Sequence, residues 1–174
     1  MENFRNNQVE LAYLPRWEEV SFQRIAGSYK YVIVLNYMIL ALFLSLIALV
    51  PISLNNIELF DVKVLYIGAG ILFFVLLLCT LHLWSYMRWA YALREKDVLY
   101  RAGIFTRRVE IVPYKHIQHV QVKEGVFSRL FSLVSIEVFT AGSGKSIQIP
   151  GIPREHSAQI QAFISERISA IHVQ

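Results

Sequence analysis

Residues 142–146 read Gly-Ser-Gly-Lys-Ser, the residue types that hold a nucleotide's phosphates through glycine amides, a lysine ammonium and a hydroxyl for magnesium. The spacing fails. The pattern G-x-x-x-x-G-K-S/T puts its first glycine at position 139, where the chain has Phe139. Such a loop must also open a helix, whose N-terminus favours the anion. Here the alternating Ser146–Ile149 and then Pro150 read as a strand, and Gly142 and Gly144 suit a hairpin turn. No nucleotide is expected, and Lys145 is left as a base at a loop tip. His116 and His119 form a second candidate, a metal pair. Residues three apart on a strand point to opposite faces, and no cysteine or carboxylate at compatible spacing completes a ligand set. They read as ordinary strand histidines, with no metal, no catalytic residues and no cofactor.

Asn36 and His82 are polar residues inside long apolar runs, at similar depths if the two runs are antiparallel helices. A hydrogen bond between them is expected, holding the helices together at ~0.6 kcal/mol; a relay role is the alternative. Gly68, Ala69 and Gly70 read as a close-packing patch. Arg94, Arg101, Arg107 and Arg108, with Lys145, form a basic set able to contact lipid headgroups.

These candidates are positioned by two unlike parts of a 174-residue chain that is 55% hydrophobic and 17% charged. Residues 31–87 predict a transmembrane hairpin, with spans near 31–50 and 65–86. Each span is free of charge and long enough for the ~30 Å hydrocarbon layer. No signal peptide is expected, because a polar and mixed segment, residues 1–30, precedes the first span. That segment could lie on the membrane as an interfacial helix, with Leu14, Trp17, Val20 and Ile25 roughly on one side. Basic residues flank the spans at Arg5, Arg16, Arg24, Lys30, Arg88, Arg94, Lys96 and Arg101, while the linker carries Lys63 against Glu58 and Asp61. Both termini are therefore expected in the cytoplasm. The part up to Met87 nets −1 and the rest +5, which suits an anionic leaflet; no aromatic-basic stripe points to nucleic acid. The one cysteine, Cys79, lies in the second span and reads as a buried apolar residue.

From Arg88 onward, residues 88–174 alternate as strands do. "WAYALREKDVLYRAGIF" gives two strands joined at Glu95–Asp97, and "TRRVEIVPY" a third stopped by Pro113. "HIQHVQVKEG" alternates with one slip of register. "GVFSRLFSL" has helical spacing, and "VSIEVFTA" and "SIQIPGI" pair as a hairpin. Ile160, Phe163, Ile164, Ile168 and Ile171 make one apolar stripe on a closing helix after Pro153.

The run "YALREKDVLYRAGIFTRRVEIVPYKHIQHVQVKEGVFSRLFSLVSIEVFTAG", following two membrane helices, resembles the bacterial pleckstrin-homology-like domain of the YdbS-like family of small membrane proteins. The resemblance spans roughly Tyr31 to Ile168. Ser132 departs from it, standing where glycine is expected in an "RLFGL" turn. It implies an α+β membrane protein, with two N-terminal transmembrane helices followed by a pleckstrin-homology-like antiparallel β-barrel capped by a C-terminal helix. It implies no catalysis and places the chain in the bacterial cytoplasmic membrane. The expected role is protein interaction or assembly at the membrane, by self-association or with another membrane protein bearing related domains. Envelope stress and antimicrobial-peptide tolerance are the settings the family suggests. The alternatives are an anionic-lipid headgroup module and an accessory subunit of a transporter or channel.

Overall fold

The computed structural model describes residues 17–54, 61–104, 106–141 and 146–172. Two long helices, α1 (Tyr29–Leu54) and α2 (Val62–Tyr86), form the hairpin. At 26 and 25 residues they run about 38 Å each, longer than the ~30 Å hydrocarbon layer. Asp61 caps α2 by accepting a bond from the Lys63 amide at 2.9 Å. Large apolar side chains stand exposed all round both helices, among them Phe43, Leu65 and Phe73. A soluble core would cover such surfaces, whereas lipid satisfies them, so this is a membrane protein with two transmembrane helices. The close-packing role expected of Gly68 and Gly70 is not used among the described residues: a Cβ on either would meet nothing there within 4 Å.

Behind the hairpin lie two antiparallel sheets. In the first, β2 (Ala90–Leu93), β3 (Asp97–Ala102) and β4 (Arg108–Pro113) form a meander. Its outer strand, β1, is Gln23–Arg24, from before the membrane hairpin. The second sheet is β5 (Ile117–Lys123), β6 (Leu133–Thr140) and β7 (Ser146–Pro153), in that order. The expected slip in β5 is present as a register shift between Ile117 and His119. A five-residue helix, α3 (Val126–Leu130), joins β5 to β6, and α4 (Arg154–His172) closes the chain. Ile160 and Ile164 of α4 enter the core with Phe163 and Ile168 against it, while Ile171 stays 40% exposed.

Two expectations change. The barrel is open, two separate sheets rather than one closed ladder. Pro113 ends β4 without an amide to donate, and a tight turn, Tyr114–His116, carries the chain across to β5. Tyr114 is fully buried at that crossing, its hydroxyl donating to the Arg94 carbonyl at 2.9 Å, and burial pushes its pKa up to about 12. Among the described residues before α1, 17–28, the chain forms no membrane-surface helix either. Beyond a single turn at Trp17–Glu19 it becomes β1, and Ile25 is buried in the protein core. The sheet domain therefore draws residues from both sides of the hairpin. Leu14 lies outside the described residues.

Gly142–Lys145 also lie outside them, but their flanks pair antiparallel, Phe139 opposite Ser146. Ser146 thus sits on a strand, and its hydroxyl donates to Glu137 at 2.6 Å. Lys123 ion-pairs with the same carboxylate. The bond from Lys123, then that from Ser146, holds the Glu137 carboxyl below the usual range. A depressed pKa contributes stability above the ordinary value of 4.5 that is lost as pH falls through the folded value. Glu137→Gln is expected to lower the melting temperature at neutral pH and to converge with the parent in acid. Equal gaps at both pH values would refute this.

Ser132, the departure from glycine, has φ 53°, in the left-handed region. A side chain there is strained by ~1–2 kcal/mol, partly offset by glycine's greater unfolded freedom of ~0.5–1 kcal/mol. Ser132→Gly is expected to stabilise the protein by about 0.5–1 kcal/mol, read as a rise in melting temperature.

Candidate functional site

Ala90 fixes the geometry. It follows closely on the end of α2, so β2 starts at the membrane-proximal end of its sheet and Leu93 lies at the far end. Across the ladder Ala90 faces Arg24 on one side and Arg101 on the other, while Arg108 faces Ala102. The register therefore brings Arg24, Arg88, Arg101 and Arg107 to one end of the sheet, where they line a single cavity of about 340 Å³ with Trp17 and Trp89. Gly103 closes its floor at φ 109°, where a Cβ would lie 2.0 Å from the Thr106 carbonyl oxygen, so the β3–β4 turn requires glycine.

No carboxylate lines this cavity among the described residues, and none of the four guanidiniums has a carboxylate within ion-pair distance there. Aromatic and backbone contacts hold two of them. Arg88 donates to the Ile104 carbonyl at 3.0 Å and lies over the Trp84 ring, and Arg101 lies over Phe22 at 4.6 Å. Guanidinium groups match phosphate oxygens with paired N–H bonds, and a cavity of this size is at the small end of ligand pockets. Phosphate-bearing anions are the chemistry it suits.

Of the predicted basic set, Arg101 and Arg107 meet here. Arg108 turns to a neighbouring cavity of about 310 Å³ beside Glu110, 3.5 Å away. Tyr100 lines that cavity with its hydroxyl held far above the ordinary tyrosine range, chiefly by burial, so it adds no negative charge. Arg94 is at the far end of the sheet, bound twice to Asp97 at 2.6 Å. Lys145 lies outside the described residues. Sequence reasoning missed Arg24 and Arg88 as site residues. Their signal was present, since both flank membrane spans, but it marks orientation as readily as a binding site.

The expected Asn36–His82 bond is not made. Asn36 donates to the Val32 carbonyl one turn back at 2.8 Å, and His82 Nδ1 instead meets the Tyr37 hydroxyl at 3.3 Å. Both residues still border one small cavity between the helices, with Tyr29 and Tyr37. His119 stacks on Phe139 at 4.3 Å, and His116 sits in the turn before β5.

A sequence profile for the bacterial PH domain matches residues 32–168, most of the chain and including the hairpin. The chain belongs to this family. It is 29% identical over 77 residues to UPF0699 transmembrane protein YdbS of Bacillus subtilis (strain 168), a match covering 44% of this chain. The match spans about half (47%) of that protein's length. No solved structure matches the chain.

In this bacterial PH domain the hairpin is seated directly on the sheets. Tyr29 of α1 packs its ring near Tyr86 and Trp89, with centroids 5.9 and 6.2 Å away. The Tyr86 hydroxyl donates to the Ala26 carbonyl, and the Ala26 amide donates to the carbonyl of Gly151 in β7, both at 3.0 Å. These contacts tie the membrane helices to both sheets and hold the arginine cavity at the foot of α2.

Proposed function

We propose that this protein binds phosphate-bearing anionic lipid headgroups at the cytoplasmic leaflet of a bacterial inner membrane, through the cavity of Arg24, Arg88, Arg101 and Arg107. The observation that carries the reading is the gathering of four guanidiniums, with no lining carboxylate among the described residues, at the membrane-proximal end of the sheet. The basic flanks of both spans support cytoplasmic termini. The binding is non-catalytic, and the hairpin keeps the cavity at headgroup level without a separate recruitment step.

The test is retention of lipid by the purified full-length chain in nanodiscs containing phosphatidylglycerol or phosphatidylcholine alone. Preferential retention of the anionic lipid, weakening as salt rises, is the expected result. Equal retention of both lipids would overturn the proposal. The full chain is required, because a fragment from Arg88 onward would lack β1 and Arg24.

Assembly is the second reading, and one observation favours it. β4 lies at the edge of its sheet opposite β1, with no strand on its outer side among the described residues, and Ile111 on it is 45% exposed. Such an edge can pair with another chain. Crosslinking at Ile111→Cys in membranes, on a Cys79→Ser background, would capture that partner or second copy.

A further inference from the structure

α3 presents two apolar side chains to the outside, Val126 at 78% and Leu130 at 70% exposure, one turn apart on the same face. Isolated exposed leucines are common, but this pair has a particular address. Phe131, the residue that ends α3, stacks on Tyr31 of α1 with ring centroids 5.6 Å apart and planes 23° apart. Tyr31 opens the charge-free run of the first span, so α3 is held at the depth where the hydrocarbon begins. Arg129, on the same short helix, is 70% exposed, and Lys30 lies over the Tyr31 ring, placing cations beside the apolar pair. Glu124 anchors the helix from beneath, with Arg129 and Arg154 both 3.5 Å from it.

We propose that α3 is a membrane wedge: Val126 and Leu130 insert at the headgroup–acyl boundary beside α1, while Arg129 stays at the phosphates. The bilayer is its occupant because the surface is continuous, through Tyr31 and Phe131, with the face of a transmembrane helix. An apolar face with flanking cations is the pattern that partitions into this layer. The wedge uses no residue of the arginine cavity and stands independently of headgroup binding there. It gives the domain a second point of contact with the leaflet, beside the α2 foot, and so restricts its tilt.

The experiment places an environment-sensitive fluorophore on Leu130→Cys, and separately on Val126→Cys, in a full-length Cys79→Ser background. Each is reconstituted at one copy per nanodisc, with Lys115→Cys as the control. Both wedge positions are expected to emit blue-shifted light relative to the control and to be quenched several-fold more strongly by lipids spin-labelled near the headgroup. Arg101→Gln with Arg107→Gln should leave these signals unchanged, separating the wedge from the cavity. Emission matching that of the control would place α3 in water and overturn the proposal. A blue shift without lipid quenching would mean that protein covers the helix, which overturns it equally.

Discussion

Gly151→Ala is expected to destabilise the protein by about 2–5 kcal/mol and to loosen the domain from its membrane hairpin. Two effects add. Gly151 has φ 66°, and any residue with a Cβ is strained there by ~1–2 kcal/mol. The new Cβ would also lie 2.4 Å from Ile25 Cγ2 and 2.9 Å from Tyr29 Cγ, forcing a core shift that typically costs ~1–3 kcal/mol. Ile25 is buried, and the Ala26 amide is bonded to the Gly151 carbonyl, so the displaced segment is the strap carrying β1 and Arg24. A thermal melt should show the loss, and hydrogen exchange at Ala26 should accelerate. Shortening the obstructing side chain with Ile25→Ala should make the two changes less than additive. Gly27→Ala serves as the control, since its Cβ would meet nothing within 4 Å. An unchanged melt in Gly151→Ala would show that the strap does not hold the two parts together.

Removing two charges with Arg101→Gln and Arg107→Gln is expected to reduce retention of anionic lipid by about 10–100-fold. A basic residue near an anionic leaflet contributes roughly 1 kcal/mol, so losing two gives ~2 kcal/mol, near the middle of that range. Full charge-assisted hydrogen bonds to phosphate would place the loss at the upper end, but Arg107 is exposed and screening lowers it. Lys96→Gln with Lys115→Gln removes the same charge from the far end of the sheet, beside Asp97 and Pro113. That control should retain lipid as the parent does. Equal losses in both double variants would mean that net charge alone, and not the cavity, attracts lipid. Folding is checked by the melt of each variant.

The sequence by itself determined the parts that depend on neighbours along the chain. Two charge-free runs specify membrane helices because no backbone alternative satisfies its hydrogen bonds in hydrocarbon. Alternation specified the strands, and even the slip in β5 was visible between Ile117 and Val120, because side chains switch faces with period two. The isoleucine stripe specified α4, with Ile171 alone of its members left 40% exposed. The strained turn at Ser132 was legible too, as a side chain where glycine was expected.

Tertiary structure decided the rest. β1 is two residues long, too short to show any period, and it exists only because β2 offers an edge beside it. Its pairing, not its composition, carries Arg24 to Arg101, while the turn at Gly103 brings Arg107 back to Arg88. The same holds within the membrane: Asn36 and Tyr37 differ by about 100° around the helix, and only the packing of α1 on α2 selects which one meets His82. Closure of the barrel was likewise beyond local pattern, since alternation gives the inward face of each strand but not whether the last edges meet. Local sequence sets which elements form and which face is apolar. Where distant basic residues converge is set by register and turn geometry, which are global properties of the folded chain.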